Sequence, residues 1–205
     1  MWRVLVLAGA LALGGCGSPP KEPTRDETLR ELTREYAEPA DRVIKAAEAV
    51  LRHAYSGKLI PMEVHHNRNG FITHRPYSTY LVVATSSGVE KWDFSTDPRP
   101  NGVLASVSIS DTAQVQGRYS HAFIDTRSRS MPLFRLFWSR VDYVLGRRAE
   151  WVTCNEAIIN APDDSQHYFG TFCANLDSEP AIPPQLPRIA VAAPPAPAKP
   201  PVRRR

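Results

Sequence analysis

Apolar residues recur at helical spacing in two long segments of the chain. In residues 40–55 they form one stripe, made of Val43, Ile44, Ala47, Val50, Leu51 and Ala54. In residues 131–146 they nearly surround the helix axis, as Leu133, Phe134, Leu136, Phe137, Trp138, Val141, Val144 and Leu145. The spacing predicts a core helix over 40–55 and a helix over 131–146 that is buried on more than one side. Shorter patterns predict helices over 24–36 and 149–159.

Between these helices, apolar and polar residues alternate, which is the pattern of strands. The alternation predicts strands over 58–66, 71–75, 79–85, 89–95, 103–110 and, more briefly, 112–117. Asn69-Gly70 is a turn signal between the first two strands, and further turns are predicted at 86–88 and 97–102. Residues 118–130 are polar and rich in arginine, and we predict a loop there. The short connections favour antiparallel pairing.

This order of elements predicts an α+β domain with two layers, in which helices cover one face of an antiparallel sheet. The pattern that contains residues 43–51 (VIKAAEAVL) and 70–77 (GFITHRPY) resembles the helix-grip domains of certain lipoproteins. Those lipoproteins are accessory subunits of the outer-membrane β-barrel assembly machine. The resemblance covers about residues 40–146 and implies a helix-grip-like fold and a non-enzymatic scaffold. None of that family's functional residues maps onto this sequence.

The amino end, MWRVLVLAGALALGGC, has the features of an export signal. Arg3 supplies a positive charge, and the apolar run after it is shorter than the roughly 20 residues of a membrane-spanning helix. The ending Leu13-Gly14-Gly15-Cys16 resembles a bacterial lipobox, which implies removal of residues 1–15 and lipidation of Cys16. The alternative is an ordinary signal peptide with a chance cysteine.

The lipobox resemblance also implies a location. Among lipobox proteins of many Gram-negative bacteria, a residue other than Asp after the lipidated cysteine accompanies transfer to the outer membrane, and here that residue is Gly17. We therefore expect a lipid-anchored protein of the cell envelope, in the outer membrane and facing the periplasm. Its first partner is then the lipid bilayer, through acylated Cys16.

Composition divides the mature chain into three parts. Residues 16–24 are rich in proline and polar groups and are predicted to be a flexible lipidated tether. Residues 25–176 form the single domain, and residues 177–205 form a disordered, proline-rich tail. The net charge is +4, but residues 180–205 carry +5 and residues 16–179 only −2. A near-neutral domain argues against a nucleic-acid-binding fold, which would carry a basic stripe.

Three cysteines are present. With Cys16 assigned to the lipid, Cys154 and Cys173 remain in an oxidising compartment, and we predict a disulfide between them. Closing a loop of about 20 residues contributes about 3 kcal/mol in the chain-entropy model. The alternative is two buried free thiols. A catalytic cysteine is disfavoured because there is no CxxC motif and no histidine beside either thiol in the sequence.

Three histidines are the candidate metal ligands. His65, His66 and His74 lie on the two predicted strands around the Asn-Gly turn, and imidazoles bind zinc or copper. Adjacent His65 and His66 must point to opposite faces of a strand, so only one of them joins His74 on either face. The alternative is a set of polar histidines at a strand edge, and we predict no cofactor.

A catalytic triad is also considered and set aside. His121 and Asp125 lie near Ser120, Ser128 and Ser130, but the GxSxG nucleophile motif is absent. Motifs that bind phosphate groups or catalytic zinc are absent too. No catalytic residue is therefore predicted, and enzymatic activity is left uncertain and disfavoured.

The last three residues complete the set of candidate sites. Arg203, Arg204 and Arg205 form a cationic tip on a semi-rigid proline-rich spacer. This tip fits an envelope protein or an anionic polymer as partner; the alternative is a dispensable terminus. The leading hypothesis is a scaffold or accessory binding module of the envelope. The alternatives are a lipid-tethered hydrolase and a module that binds a small ligand or lipid.

Overall fold

The chain folds as a six-stranded antiparallel sheet with helices on one face. The computed structural model describes residues 24–56, 61–81, 84–117, 121–127, 130–161, 169, 172–173 and 181–187. Its elements are α1 (Arg25–Leu32), β1 (Thr33–Tyr36), α2 (Ala40–Ala54), β2 (Glu63–Asn67), β3 (Gly70–Leu81), β4 (Ala84–Arg99), β5 (Gly102–Gly117), β6 (His121–Arg127), α3 (Met131–Val144) and α4 (Cys154–Ile159). The predicted α+β class is confirmed.

The strand order is β1-β5-β4-β3-β2, and β6 pairs with β5 beyond the end of β1. The register aligns buried side chains in rows across the strands. One row on the inner face joins Phe71, Phe94 and Val107, and the next joins Thr73, Trp92 and Ile109. All six are buried beneath α2 and α3. The alternation in the sequence therefore separates the core face from the solvent face, as expected for such a sheet.

The two long helices occur where the apolar spacing predicts them. At the start of α3 the side chain of Ser130 accepts a hydrogen bond from Leu133 N, whereas Pro39 precedes α2 without a side-chain cap. No helix among the described residues is long and apolar enough to cross a membrane.

Two predictions of local structure are wrong because pairing with β5 overrides local preference. Residues 33–36 are predicted to continue the first helix, but α1 ends at Leu32 and they pair with β5 as β1. Tyr36 thereby becomes buried. Residues 118–130 are predicted to be a loop, yet β6 pairs with β5 from Gln116 to Ser110. Distant partners decide strand formation more than local composition does.

The hairpin between β3 and β4 also differs from the prediction. Residues 79–85 are not one strand and 86–88 are not a turn: β3 runs to Leu81, and β4 starts at Ala84 and continues through Gly88. Pro76 lies within β3, although proline usually interrupts a sheet. Among the described residues, β2 pairs with β3 no further along than His74, so no described strand beyond it needs a hydrogen bond from Pro76.

The turn between β4 and β5 is shorter than predicted. β4 extends to Arg99, so that only Pro100 and Asn101 lie between the strands. Gly102 follows with φ of +142°, and a Cβ atom there would lie 1.9 Å from the carbonyl oxygen of Tyr36. Glycine is required at this position because β1 passes directly against it.

Candidate functional site

Three charged side chains form a row across the inner face of the sheet, which we call the polar row. Arg75 of β3 is opposite Glu90 of β4, and Glu90 is opposite Asp111 of β5. They share the face of the aromatic core because side chains two residues apart on a strand point the same way. The helical layer ends at this level: Tyr55 caps α2 here, and β6 reaches Arg127, opposite Ser110, shortly before α3 begins.

Glu90 is held on two sides. The hydroxyl of Tyr55 donates a hydrogen bond to Glu90 Oε1. Trp92 Nε1 donates to the same oxygen at 2.8 Å and also lies 2.9 Å from the Tyr55 hydroxyl. The end of α2 is thereby fixed to β4 through one carboxylate.

Arg75 is the buried cation of the row. Its side chain is only 8% exposed, and its Nη2 lies 3.6 Å from Glu90 Oε2. The guanidinium stacks over the Tyr55 ring, 4.8 Å from the centroid. Nε and Nη2 have no hydrogen-bond partner among the described residues. The contacts of Arg75 are thus an ion pair and an aromatic face.

Asp111 binds Tyr77 in the next row. The Tyr77 hydroxyl lies 2.9 Å from Asp111 Oδ1 and 3.0 Å from Oδ2. Burial raises the pKa of Asp111, and the neighbouring Glu90 adds to the rise. Burial, followed by the bond to Asp111, also raises the pKa of Tyr77 to about 12. Gly88 makes room, since a Cβ atom there would lie 2.7 Å from the Tyr77 hydroxyl.

The sheet continues beyond the polar row. We call residues 76–81, 84–89, 112–117 and 121–126 the sheet arm. Six residues of β5 beyond Asp111 extend it by about 20 Å. Ser78, Ser87 and Gln114 are exposed there. The arm is a continuous hydrogen-bonded surface that starts where the helices end.

The three candidate histidines divide between the two faces of the sheet. His65 and His74 meet on the outer face, with ring centroids 5.4 Å apart, whereas His66 lies on the other face and its Nε2 is 2.8 Å from Glu48 Oε2. Among the described residues no group of three His, Cys, Asp or Glu side chains could hold a metal ion. His65 and His74 thus form one pair and His66 and Glu48 another, divided by the alternation of the strand as the sequence predicts.

The triad candidates are only partly described, since Ser120 and Ser128 lie outside the described residues. His121 and Asp125 both lie on β6, in a strand and not in a loop. They are four residues apart along the strand, which separates their backbones by about 13 Å. Ser130 is occupied as the cap of α3.

Aromatic rings fill the space between the sheet and α3. Phe137 contacts Trp92 and Phe94 with ring centroids 5.4 and 6.3 Å apart, and Trp138 lies 6.2 Å from Phe94. Phe172 covers Trp92 at 5.3 Å. Each of four residues in this region is at most 1% exposed: Trp92, Phe94, Phe137 and Trp138. This region is a packed core.

The predicted disulfide between Cys154 and Cys173 is present, with Cα atoms 5.6 Å apart. Arg140, 1% exposed, lies beside it: its Nε donates to the Val152 carbonyl at 2.9 Å, and its Nη2 lies 3.3 Å from Cys154 Sγ. These contacts hold residues 151–153 outside a helix, so α4 begins at Cys154 and not at 149 as predicted.

Residues 181–187, which the sequence assigns to the tail, lie against the domain, and we call them the docked segment. Leu186 N donates to the Val144 carbonyl at 2.8 Å and its side chain packs against the core. Arg42 donates to the carbonyls of Pro187 and Leu186. Composition alone missed this contact because one leucine among prolines carries no periodic signal.

Several predicted site residues lie outside the described residues. They are Cys16 and the cluster Arg203, Arg204 and Arg205. The polar row is not among the sites predicted from the sequence, although its signal is present: Glu90 shares the period-two face of Trp92 and Phe94. A charged residue at a core position of a strand marks a site where a polar network replaces apolar packing.

Comparison with protein-family models, with curated proteins and with solved structures finds no match for this chain.

Proposed function

We propose that this protein is a lipoprotein of the cell envelope, anchored through Cys16 in the outer membrane, whose domain faces the periplasm as a non-enzymatic binding module or scaffold. The sheet arm carries the proposal. Within the described residues it extends past the end of α2, and the polar row at its base fixes β3, β4 and β5 to that end. Such an arm presents a preformed surface, which lowers the entropic cost of binding a partner.

The alternatives have less support in the geometry. A hydrolase that uses His121 and Asp125 would need the two side chains in contact, but they lie four residues apart along β6. A small-ligand module of the helix-grip kind would need a cavity between sheet and α3, and aromatic rings occupy that space. Neither observation bears on a binding surface outside the core.

Photo-crosslinking in cells tests the arm as the binding surface. A photoreactive residue replaces Gln114, which is exposed in the arm, and in a second chain it replaces Ser108, which is exposed on the same face of β5 over the domain. We expect crosslinks to an envelope component from position 114 and none from position 108. Equal yields from both positions, or none from position 114, would refute the arm as the binding surface.

Membrane fractionation tests the anchor separately. Cys16→Ser removes the acylated side chain and should release the protein from the membrane fraction. A Cys16→Ser protein that still sediments with outer membranes would contradict the anchor, whatever the crosslinking shows.

A further inference from the structure

The docked segment runs along α2 in the opposite direction. Ala181 contacts the end of α2, where His53 Nδ1 lies 3.2 Å from its carbonyl oxygen. Pro187 contacts the start of α2 through Arg42. Eleven residues of helix separate these contacts, which is about 17 Å, and six residues of polyproline II structure span about 19 Å. The segment therefore matches the length of an extended polyproline II strand.

The burial of the segment repeats every three residues. Pro183 and Leu186 are half-buried, and the other five residues of the docked segment are exposed. A polyproline II helix has three residues per turn, so positions i and i+3 share a face. Pro183 and Leu186 thus share the less exposed face of the segment, and Leu186 packs against the core.

The hydrogen bonds between the domain and the segment involve mainly the backbone of the segment. Leu186 N donates to the Val144 carbonyl, while Arg42 Nη2 donates to the Leu186 carbonyl at 3.2 Å and to the Leu145 carbonyl at 3.3 Å. Arg42 thereby joins the open carboxyl end of α3 to the segment. Among the described residues, Gln185 adds one side-chain bond, from Nε2 to the Arg148 carbonyl at 3.1 Å. The domain therefore reads an extended backbone and a Pro-x-x-Leu spacing.

We propose that this surface along α2 is a recognition site for extended proline-rich segments of the pattern Pro-x-x-Leu-Pro, filled in cis by residues 181–187 and exchangeable for the same segment of a second copy of the chain. The features of the segment described above are its backbone hydrogen bonds, the half-buried side chains of Pro183 and Leu186, and the hydrogen bond of Gln185. A segment supplied by another chain can provide all of them. Domains that bind proline-rich peptides likewise recognise a preformed extended backbone.

Competition between cis and trans segments tests the proposal in the full-length Cys16→Ser chain. The probe is a labelled synthetic peptide with the sequence of residues 180–188. The cis segment acts at an effective concentration in the millimolar range, so the unchanged domain should bind the peptide weakly. Leu186→Ala in the chain weakens the cis segment, and peptide binding should tighten at least about tenfold.

Two controls separate recognition from nonspecific binding. A peptide with the same Leu186→Ala change should not bind, and adding Arg42→Ala to the Leu186→Ala chain should abolish binding. Circular dichroism establishes that each chain is folded. If Leu186→Ala lowers the folded fraction, Gln185→Gly weakens the same segment from an exposed position. A folded, weakened chain that binds neither peptide, or both equally, would overturn the proposal.

Sedimentation tests the second copy as the occupant. The full-length Cys16→Ser chain should form a dimer as its concentration approaches the millimolar range, and excess peptide should return it to monomer. Arg42→Ala should remain monomeric. A chain that stays monomeric under these conditions, or a dimer that excess peptide leaves intact, would overturn exchange between copies.

Discussion

Arg140 and Arg75 are the two buried arginines in the part of the chain that the structure describes, and they stabilise different segments. Arg140 lies on α3, 1% exposed, with its guanidinium 4.6 Å from the centroid of the Trp151 ring and bonded to the Val152 carbonyl. Arg75 lies on β3, 7% exposed, over Tyr55 and beside Glu90. Each is stacked on an aromatic ring. Arg140 secures a segment without regular structure, whereas Arg75 lies within a sheet that backbone bonds already secure.

The difference shows how to weigh a buried charge. A guanidinium stabilises a fold when its donors replace the water that they lose. Arg140 satisfies this condition with a carbonyl bond at 2.9 Å. Arg75 has two nitrogens without a hydrogen-bond partner among the described residues, and its ion pair spans 3.6 Å. The same substitution should therefore cost much more at position 140 than at position 75.

The largest effect is expected for Arg140→Met. The change leaves the Val152 carbonyl without its donor and removes the cation from Trp151 and Phe172, and the free energy of unfolding should fall by about 3 kcal/mol. Equilibrium denaturation in urea measures the loss. Arg140→Lys keeps the charge without the planar fork and should recover only part of it. A loss below that of Arg75→Met would reverse the comparison.

Removing the disulfide should come next. The chain with both Cys154→Ser and Cys173→Ser should lose about 3 kcal/mol or slightly less, since the bridge joins residues 19 apart. Arg140 Nη2 contacts Cys154 Sγ, so combining these changes with Arg140→Met should cost less than the sum. Denaturation of all three chains gives the coupling. Strict additivity would mean that Arg140 does not secure this segment.

The sequence predicts much of the fold, and its successes and failures have separate physical causes. Periodic burial predicts α2 and α3 and identifies the buried face of β5, because those patterns depend on nearby residues. Residues 33–36 and 121–127 became strands only by pairing with β5, which is distant in sequence. Local patterns contain no record of that pairing.

The candidate site shows the same division. Alternation correctly separates His65 from His66, and cysteine number together with the predicted compartment identifies the disulfide pair. The polar row could not be derived in this way because it needs the register of three strands. A one-residue slip would move Glu90 to the opposite face, away from Arg75.

Arg75→Met should have a small effect on stability. The lost ion pair and ring contact are offset by relief of the buried charge, so the free energy of unfolding should change by no more than about 1 kcal/mol at neutral pH. Thermal denaturation measures it against Arg140→Met. Arg75→Ala is the control for packing and should cost more, since it leaves a cavity above Tyr55. A loss for Arg75→Met as large as that for Arg140→Met would show that the two cations have equal roles.

The smallest effect is expected for Asp111→Asn, and its sign depends on pH. Burial raises the pKa of Asp111 above its ordinary value of 3.8. The folded chain therefore holds this proton more tightly than the unfolded chain, and the carboxyl lowers stability as pH rises through the raised pKa. Asparagine cannot ionise and still accepts a bond from Tyr77. The variant should gain less than about 1 kcal/mol above that pKa, because solvent screens the partly exposed group.

Glu48 supplies a control of opposite sign. Burial alone would raise its pKa, but hydrogen bonds from His66 and Arg52 outweigh burial and lower it. The ionised Glu48 therefore stabilises the folded chain at pH values above its ordinary pKa. This stabilisation is lost as the pH falls through the lowered pKa, so Glu48→Gln should destabilise the protein at neutral pH. Urea denaturation from pH 3 to 7 compares both variants with the unchanged chain.

Within the Arg75→Met chain the gain from Asp111→Asn should increase, because Arg75 opposes the rise in the pKa of Asp111. An unaltered gain there would mean that Arg75 does not act on the carboxyl of Asp111.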